Sequence, residues 1–245
     1  MPKTLLVKGA SSEIGQQLIK TVGRDYDSIV AQYNHNSASL ESLRAGLGET
    51  ELIPLKADFT DFKETVDFAE KVISLGIVPD AVVHLAALPL GLFERFDKTE
   101  WSDFEREFEV SFRSAVIILQ KVMPIMAKLK RGRVVIMLSY NLLNTPQIKN
   151  ASVYSTAKYA LYGLMRSLSS EYAGKRIWVN GVSPSIIDTK FARDNMPDIV
   201  LEQSAKASPI KRNLVAEDVI APIRFLLSDA AENITGQNIG ITAGN

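Results

Sequence analysis

The sequence predicts an α/β fold in which helices cover both faces of a doubly wound, seven-stranded parallel sheet. Short runs rich in β-branched residues alternate with longer amphipathic stretches along the whole chain. The predicted strands are also apolar at nearly every position, which is typical of parallel strands that are buried on both faces. Because parallel strands are joined by right-handed crossovers, this alternation leads to a doubly wound sheet.

Each element is predicted by its own pattern. β-Branched and aliphatic runs predict strands at residues 4–7, 28–32, 51–55, 81–84, 133–138, 177–182 and 238–242. Apolar residues that recur every three or four positions predict helices at residues 13–22, 39–47, 63–75, 101–129, 152–172 and 216–227. Residues 184–212 show no clear periodicity, and we expect them to form a substrate lid. Since no internal repeat or linker interrupts the pattern, residues 1–245 are predicted to form a single domain.

The composition excludes several classes of protein. The chain has 245 residues, 28 Lys plus Arg, 28 Asp plus Glu and no cysteine. Thiolate nucleophiles, disulfides and cysteine-based metal sites are therefore excluded, and a cytoplasmic setting is expected. Zero net charge disfavours a nucleic-acid partner or a polybasic membrane surface, and the apolar runs are shorter than the roughly 20 residues that span a bilayer. The chain begins with a predicted strand rather than a secretion signal, so we expect a soluble protein that acts on a small molecule.

A glycine-containing turn follows the first predicted strand. Ligands of a doubly wound sheet bind at the carboxyl ends of its strands, and residues 9–15 at this position read GASSEIG. Glycine permits a tight turn, and the N-terminus of the following helix offers N–H groups to a pyrophosphate. The same letters also fit an ordinary strand-to-helix turn, so this segment alone leaves both interpretations open.

A tyrosine and a lysine are spaced to act together. Tyr154 and Lys158 are four residues apart in a predicted helix and therefore share one of its faces. A positive charge about 4 Å from a phenol contributes on the order of 4 kcal/mol at an effective dielectric near 20, which corresponds to a couple of pKa units. Ser139, at the end of the fifth strand, offers a second hydrogen-bonding group. Such a pair is commonly surface decoration, but together with Ser139 and the glycine turn it predicts an acid–base centre.

In order and spacing, these motifs resemble the short-chain dehydrogenase/reductase family over essentially the whole chain, and they are similar to its 3-oxoacyl-(acyl-carrier-protein) reductase-like members. Further matching segments are Asp58, 179–184, 225–228 and 234–237. The resemblance implies a Rossmann-type fold and an NAD(P)-dependent oxidoreductase. It implies that Tyr154 exchanges a proton with the substrate while Ser139 polarises the carbonyl or hydroxyl. Lys158 would bind the nicotinamide ribose and lower the Tyr154 pKa.

The resemblance also implies the cofactor contacts. Asp58 would hydrogen-bond to the adenine, and Ile187 and Thr189 would hold the carboxamide end. The implied cofactor-binding residues are Gly9, Ser11, Ser12, Glu13, Ile14, Asp58, Phe59, Ala86, Tyr154, Lys158, Pro184, Ile187 and Thr189.

The residues that follow the second predicted strand are expected to determine whether the protein prefers NAD(H) or NADP(H). A carboxylate there would accept hydrogen bonds from a free ribose hydroxyl and repel a 2′-phosphate, but residues 32–40 contain none. NADP(H) is therefore favoured over NAD(H). Asn34, His35 and Asn36 are the predicted cofactor-binding residues of this segment, although His35 fits a solvated loop equally well.

Several positions depart from the family pattern. Lys8 stands where threonine is common, Glu13 replaces a glycine, and residues 84–87 read HLAA. Ser111 stands where the family has the fourth catalytic residue, an asparagine, and its shorter side chain would hold a proton-relay water differently. We keep Ser111 as a candidate catalytic residue.

Three of these side chains carry specific expectations. Glu13 should either point outward, where the helix dipole favours it, or pair with Lys8. His84 should be a hydrogen-bonded structural group rather than a base. With only one other histidine in the chain, no metal site is predicted.

The substrate is indicated only as a class. An apolar pocket wall is predicted from residues 88–93, Leu142, Leu143, Ile186, Phe191 and Met196. Lys149, Lys190 and Arg193 either meet an anionic group or are solvated loop charges. A 3-oxoacyl derivative or another keto compound fits such a pocket. A nucleotide-binding homologue with weak or no catalysis is the alternative function, and the resemblance implies a homodimer or homotetramer packed through residues 101–129 and 152–172.

Overall fold

A seven-stranded parallel sheet forms the centre of the protein. The computed structural model describes residues 3–88, 94–143 and 148–244. The strands are β1 (Thr4–Lys8), β2 (Ser28–Tyr33), β3 (Glu51–Lys56), β4 (Ala81–His84), β5 (Gly132–Met137), β6 (Ile177–Pro184) and β7 (Asn238–Ile241), in the spatial order β3-β2-β1-β4-β5-β6-β7. All neighbouring pairs are parallel, which confirms the predicted doubly wound fold.

Helices connect these strands. They are α1 (Glu13–Val22), α2 (Ala38–Glu41), α3 (Phe62–Ser74), α4 (Trp101–Phe108), α5 (Ser114–Leu129), α6 (Ser152–Tyr172), α7 (Lys190–Asn195), α8 (Asp198–Ala207) and α9 (Ala216–Leu227). A π-helical turn, Glu109–Arg113, joins α4 to α5 and divides the single helix that was predicted for residues 101–129. The predicted lid at residues 184–212 contains α7 and α8.

The helix predicted at residues 39–47 is wrong in extent. Only Ala38–Glu41 is α-helical, and a 3₁₀ turn follows at Arg44–Gly46. The side chain of Ser39 donates to the Asn36 carbonyl at 3.1 Å, and that of Ser42 donates to the Ser39 carbonyl at 2.8 Å. Such local side-chain bonds compete with the regular helical pattern and shorten the helix.

The core is divided by the sheet into two layers. Along β1, Leu5 and Val7 pack into the layer formed with α1 and α9, whereas Leu6 packs into the layer formed with α3, α5 and α6. Because side chains alternate along a strand, both faces of the sheet are covered and each strand is apolar throughout. Polar side chains are thereby concentrated at the strand ends.

One helical stretch is apolar and long enough to cross a membrane by length and composition alone. This stretch, Trp101–Leu129, has a mean hydropathy of 1.4 over its most apolar window, half of which is buried inside the fold. Its α5 portion packs against α3. Core helices of soluble proteins pass the same test, so one such helix is weak evidence for a membrane span.

Gly15 gives a testable prediction about the turn that begins α1. A Cβ atom at Gly15 would lie 2.5 Å from the Gly9 carbonyl oxygen, and backbone cannot move aside cheaply. We expect Gly15→Ala to destabilise the protein by roughly 1–3 kcal/mol in urea unfolding. The matched control is Gly163→Ala on α6, where a Cβ meets no atom within 4 Å. Because alanine favours a helix over glycine, this substitution should stabilise the protein by roughly 0.5–1 kcal/mol. Equal stability of Gly15→Ala and wild type would contradict the close approach.

Candidate active site

The predicted acid–base residues meet at the carboxyl edge of the sheet. Lys158 Nζ lies 5.5 Å from the centroid of the Tyr154 ring and donates to the Met137 carbonyl at 3.0 Å. Ser139 lies two residues after the end of β5 and is hydrogen-bonded to Tyr154. Ser139 and Lys158 are buried, and Tyr154 is partly buried. The structure therefore brings Ser139, Tyr154 and Lys158 into one group.

Burial decides the protonation of Tyr154. Loss of water around the phenol raises the pKa of Tyr154 to about 12, the hydrogen bond from Ser139 acts in the opposite direction, and the charge of Glu107 adds to the increase. Burial also lowers the pKa of Lys158, and Glu107 opposes that change. The expectation that the Tyr154 pKa lies below its ordinary value is therefore wrong for this structure, because loss of water around the phenol raises it. Tyr154 is a neutral phenol at neutral pH.

The π-helical turn places Ser111 in the same buried region. Its hydroxyl donates to Glu107 Oε1 at 2.5 Å, and both residues are buried. Burial raises the pKa of Glu107, whereas the Ser111 hydrogen bond and the charge of Lys158 act to lower it. Sequence reasoning missed Glu107. The available signal was a carboxylate four residues before Ser111, on the same face of the helix.

His84 is buried at the end of β4. Its side chain is 2% exposed, and the Ser111 backbone forms a hydrogen bond with the ring that is only weakly aligned. Burial, then the charges of Lys8 and Lys158, hold the pKa of His84 well below its ordinary value. His84 is therefore a neutral group, and its predicted role as a hydrogen-bonded structural residue stays a prediction.

Lys8 and Glu13 do not pair. Lys8 is 1% exposed, its Nζ donates to Ser114 Oγ at 3.0 Å, and it lies 5.1 Å from the centroid of the Phe59 ring. Glu13 is exposed, and its Oε2 accepts the Lys190 N–H at 2.9 Å. Glu13 thus points outward, which is one of the two predicted arrangements. The other arrangement, a pair with Lys8, is wrong because the Lys8 side chain points toward α5. Glu13 connects the glycine turn to the first residue of α7.

The turn after β1 has the shape of a phosphate cradle. Gly9 has φ 77°, and a Cβ there would lie 3.0 Å from the Ala86 nitrogen. Ser12 caps α1 by accepting the Gly15 N–H at 3.0 Å, and its own hydroxyl donates to the Gly9 carbonyl at 2.8 Å. The first-turn N–H groups of a helix have no partners inside the helix, so this turn fits the pyrophosphate of a dinucleotide. The predicted residues Ser11, Glu13 and Ile14 lie in the same turn.

Gln32 supports this turn and was not predicted as a site residue. Its Oε1 accepts the Gly9 N–H at 2.8 Å, while its Nε2 donates to the Ala57 carbonyl at 2.8 Å. Since Gln32 is buried on β2, it ties the glycine turn to the next strand. The sequence offered no signal for this role beyond a polar residue inside an apolar strand.

The residues predicted around the adenosine end lie together. Asp58 accepts hydrogen bonds from Thr60 and from the side chain of Asn34, and it lies near His35. Burial acts to raise the pKa of Asp58, but the hydrogen bonds and the His35 charge hold it below the ordinary value. Asn36 is placed differently, because its Oδ1 accepts the Ser39 N–H at 3.3 Å at the start of α2.

The residues predicted at the nicotinamide end follow β6. Pro184 ends that strand, Ile187 forms an isolated parallel bridge with Leu214, and Thr189 caps α7 by accepting the Ala192 N–H at 3.2 Å. These three residues lie in one segment that leaves the carboxyl edge of the sheet and enters the predicted lid.

Only part of the predicted substrate wall can be placed. Residues 89–93 lie outside the described residues. Leu142 and Leu143 come shortly after Ser139. A cavity of about 410 Å³ is lined by residues of another segment that include Ser155 and Tyr159.

Two of the three predicted loop cations form ion pairs within the protein. Lys190 and Arg193 are paired with Asp194 and Asp188, each at 2.5 Å. Lys149 is exposed. Within residues 3–88, 94–143 and 148–244, no cluster of three or more metal-binding side chains occurs.

Comparisons with known proteins agree with this site. A family model described as enoyl-(acyl carrier protein) reductase matches residues 9–245. The chain is 28% identical over 249 residues to 3-oxoacyl-(acyl-carrier-protein) reductase FabG of Thermotoga maritima, which covers 99% of this chain and 97% of the relative. It is 28% identical over 248 residues to L-xylulose reductase of Caenorhabditis elegans, which covers 99% of this chain and 95% of the relative.

A solved structure supports the fold. ElxO with NADPH bound superimposes with a TM-score of 0.84 at 22% identity, covering 100% of this chain and 98% of that one. The chain belongs to the short-chain dehydrogenase/reductase family. It is therefore a Rossmann-fold oxidoreductase that uses a nicotinamide cofactor, which confirms the class of enzyme predicted from the sequence.

The buried Lys8 gives a prediction about stability and pH. Burial holds the pKa of Lys8 well below its ordinary value of 10.5, so folding opposes its charged form. The cost of this charge is absent above the ordinary pKa, and stability is lost as the pH falls toward the folded-state pKa. We expect Lys8→Met to raise the free energy of unfolding, measured in urea at pH 7, by about 1–4 kcal/mol relative to wild type. At pH 10 the increase should be smaller. The exposed Lys20→Met serves as the control, and a pH-independent difference for Lys8→Met would contradict the burial of an ionisable amine.

Proposed function

We propose that this protein is an NADP-dependent reductase that converts a carbonyl compound to the corresponding alcohol. The observation that carries the proposal is the contact of Ser139 with Tyr154, with Lys158 Nζ over the same ring. A reduction requires one proton for the substrate oxygen, and a phenol beside a serine hydroxyl can supply it.

The cofactor supplies a hydride when bound, and the chain's own residues handle the proton. Ser139 and Tyr154 lie within hydrogen-bonding distance of each other, so a substrate oxygen that replaces this contact can reach both hydroxyls. Because the pKa of Tyr154 is raised to about 12, the phenol carries its proton throughout the physiological range. The acid form is the one that a reduction needs, whereas alcohol oxidation needs a base. The protonation of Tyr154 thus favours the reductive direction.

Several residues are suited to hold the cofactor. The Gly9–Ser12 turn and the start of α1 would hold the pyrophosphate. Asp58 would bind the adenine, and Lys158 the nicotinamide ribose. Ile187 and Thr189 would bind the carboxamide from the segment after β6.

The preference for NADP(H) rests on the end of β2. Residues 32–40 contain no carboxylate that would repel a 2′-phosphate, and Asn34 and His35 lie beside Asp58 at this place. The similar fold of ElxO, described with NADPH bound, is consistent with this preference.

For the substrate, a 3-oxoacyl derivative or another keto compound is the class we favour. One relative is named a 3-oxoacyl-(acyl-carrier-protein) reductase and another an L-xylulose reductase, and both names describe reduction of a carbonyl group. Leu142 and Leu143 beside Ser139 would form part of an apolar wall. We further propose a cytoplasmic enzyme that assembles as a homodimer or homotetramer.

A nucleotide-binding homologue with weak catalysis is the second candidate. It is favoured by one observation, because the Ser111 hydroxyl is engaged by Glu107 in the place where the family has an asparagine. Retention of Ser139, Tyr154 and Lys158 favours the enzyme, since binding a nucleotide needs no phenol of this kind.

Tyr154→Phe tests the proposed proton donor. We expect kcat for NADPH-dependent ketone reduction to fall by roughly 10²–10⁴-fold, because the substrate oxygen loses its acid. NADPH affinity, measured by the change in its fluorescence on binding, should change less than about threefold, since the ring remains. Tyr172→Phe at the end of α6 is the matched control. Activity that survives in Tyr154→Phe would rule out this mechanism.

The cofactor preference is tested by kinetics and by a fragment. We expect kcat/KM with NADPH to exceed that with NADH by at least about tenfold, the effect of one charge-assisted contact. Adenosine 2′,5′-bisphosphate should inhibit more strongly than 5′-AMP, and His35→Ala should reduce that difference. Comparable efficiencies with the two cofactors would refute the preference.

A further inference from the structure

A carboxylate is buried beside the acid–base residues, and the reaction described above gives it no role. Glu107 lies on α4 and is 3% exposed. Its Oε1 accepts the Ser111 hydroxyl at 2.5 Å. A buried carboxylate is costly unless hydrogen bonds and an opposite charge compensate it. The Ser111 hydroxyl supplies a hydrogen bond to the Glu107 carboxylate. The positive charge that would compensate the carboxylate has to come from another side chain.

Lys158 is a buried amine that requires a negative charge nearby if it is to carry its proton. It is 2% exposed, and its described hydrogen bond goes to the Met137 carbonyl, which carries no charge. Helix α4 packs against α6, the helix that carries Lys158. The influence is mutual, because Glu107 raises the pKa of Lys158 and Lys158 lowers the pKa of Glu107. The two buried groups therefore influence each other electrostatically across the contact between α4 and α6.

The π-helical turn between α4 and α5 holds this arrangement in place. Ser111 is buried in the middle of Glu109–Arg113, and its hydroxyl reaches back four residues to Glu107. Single π-helical turns are uncommon and occur frequently at functional sites. The serine that stands in place of the family's asparagine is thus bonded to a charged side chain.

We propose that Glu107 is a positioning residue of the proposed reduction: held by Ser111, its carboxylate is the buried counter-charge that keeps Lys158 an ammonium beside Tyr154. The inference rests on the proposed function for its role in the reaction. An ammonium at this place stabilises the phenolate that remains after Tyr154 has given its proton to the substrate. Removing the counter-charge would make Lys158 lose its proton at a lower pH.

The other titratable groups at this edge of the sheet do not replace Glu107 as that counter-charge. Tyr154 on α6 and Tyr140 after β5 are neutral phenols, because burial raises the pKa of both. His84 at the end of β4 is neutral, and Lys8 at the end of β1 is a base rather than an acid. Among these groups, Glu107 is the carboxylate.

The test compares Glu107→Gln with wild type. Glutamine keeps the size of the side chain and an oxygen that accepts the Ser111 hydrogen bond, but it carries no charge. The first readout is the Lys158 titration in the protein without substrate, followed by NMR of ¹³C-labelled lysine side chains and assigned with Lys158→Met. We expect the Lys158 pKa to fall by about one unit, the effect of one charge within roughly 10 Å at an effective dielectric near 20.

The second readout is the pH profile of kcat/KM for NADPH-dependent ketone reduction. The negative charge of Glu107 favours the protonated forms of both Lys158 and Tyr154. Without it, both groups should lose their protons at lower pH, and the alkaline limb of the profile should move to lower pH by about one unit. The KM for NADPH should change less than about threefold. Glu105→Gln, an exposed glutamate on the same helix, is the matched control and should leave the profile unchanged.

Glu107→Asp and Ser111→Ala keep the proposal testable if Glu107→Gln folds poorly. Aspartate restores the charge, so its titration and profile should return toward wild type. Ser111→Ala keeps the Glu107 carboxylate but removes the hydrogen bond that holds it. We therefore expect the Lys158 pKa to fall, but by less than in Glu107→Gln. An unchanged Lys158 pKa in folded Glu107→Gln would overturn the proposal. If wild type reduces no ketone, the proposed function fails, whereas the Lys158 titration still decides whether Glu107 is its counter-charge.

Discussion

The exclusion of water from ionisable side chains at the carboxyl edge of the sheet governs the chemistry of this protein. Lys8, His84, Glu107 and Lys158 come from four different elements and are each almost fully buried. Burial of such groups is unfavourable unless a partner compensates it. Lys8 donates to Ser114, Lys158 donates to the Met137 carbonyl, and Glu107 accepts from Ser111. His84 meets the same constraint by remaining neutral. The ends of β1 and β5 are thereby connected to α5 and α6 by specific polar contacts.

The same exclusion of water keeps Tyr154 protonated. A phenol whose pKa is raised to about 12 is an acid rather than a base near neutral pH. Ser139 contacts it directly, and Lys158 lies over its ring. A proton donor, a second hydroxyl and a nearby cation are the groups that carbonyl reduction needs. Glu13, whose carboxylate accepts the Lys190 N–H, connects the cofactor turn to α7, so that the two ends of the site are held in one framework.

Local patterns in the sequence predicted the features that depend on neighbouring residues. The strands follow from apolar runs, the glycine turn from residues 9–15, and the Tyr154–Lys158 contact from a spacing of four. Contacts between distant residues were beyond such patterns: Lys8 and Ser114 are 106 positions apart, and Glu13 and Lys190 are 177 apart. The sign of the Tyr154 pKa shift was also missed, since a spacing reports a neighbouring charge but not the water that burial removes. The short α2 was missed because serine side chains compete for its backbone.

A titration of Tyr154 tests the central claim most directly. The protein would be labelled at the tyrosine ring carbons and followed by NMR without cofactor or substrate, with Tyr154→Phe to assign the signal. If desolvation governs the site, the Tyr154 signal stays that of a phenol past pH 10 and titrates at about 12. Titration of Tyr154 clearly below 10 would show that the charge of Lys158 dominates instead, and it would contradict the account of a buried phenol that acts as an acid.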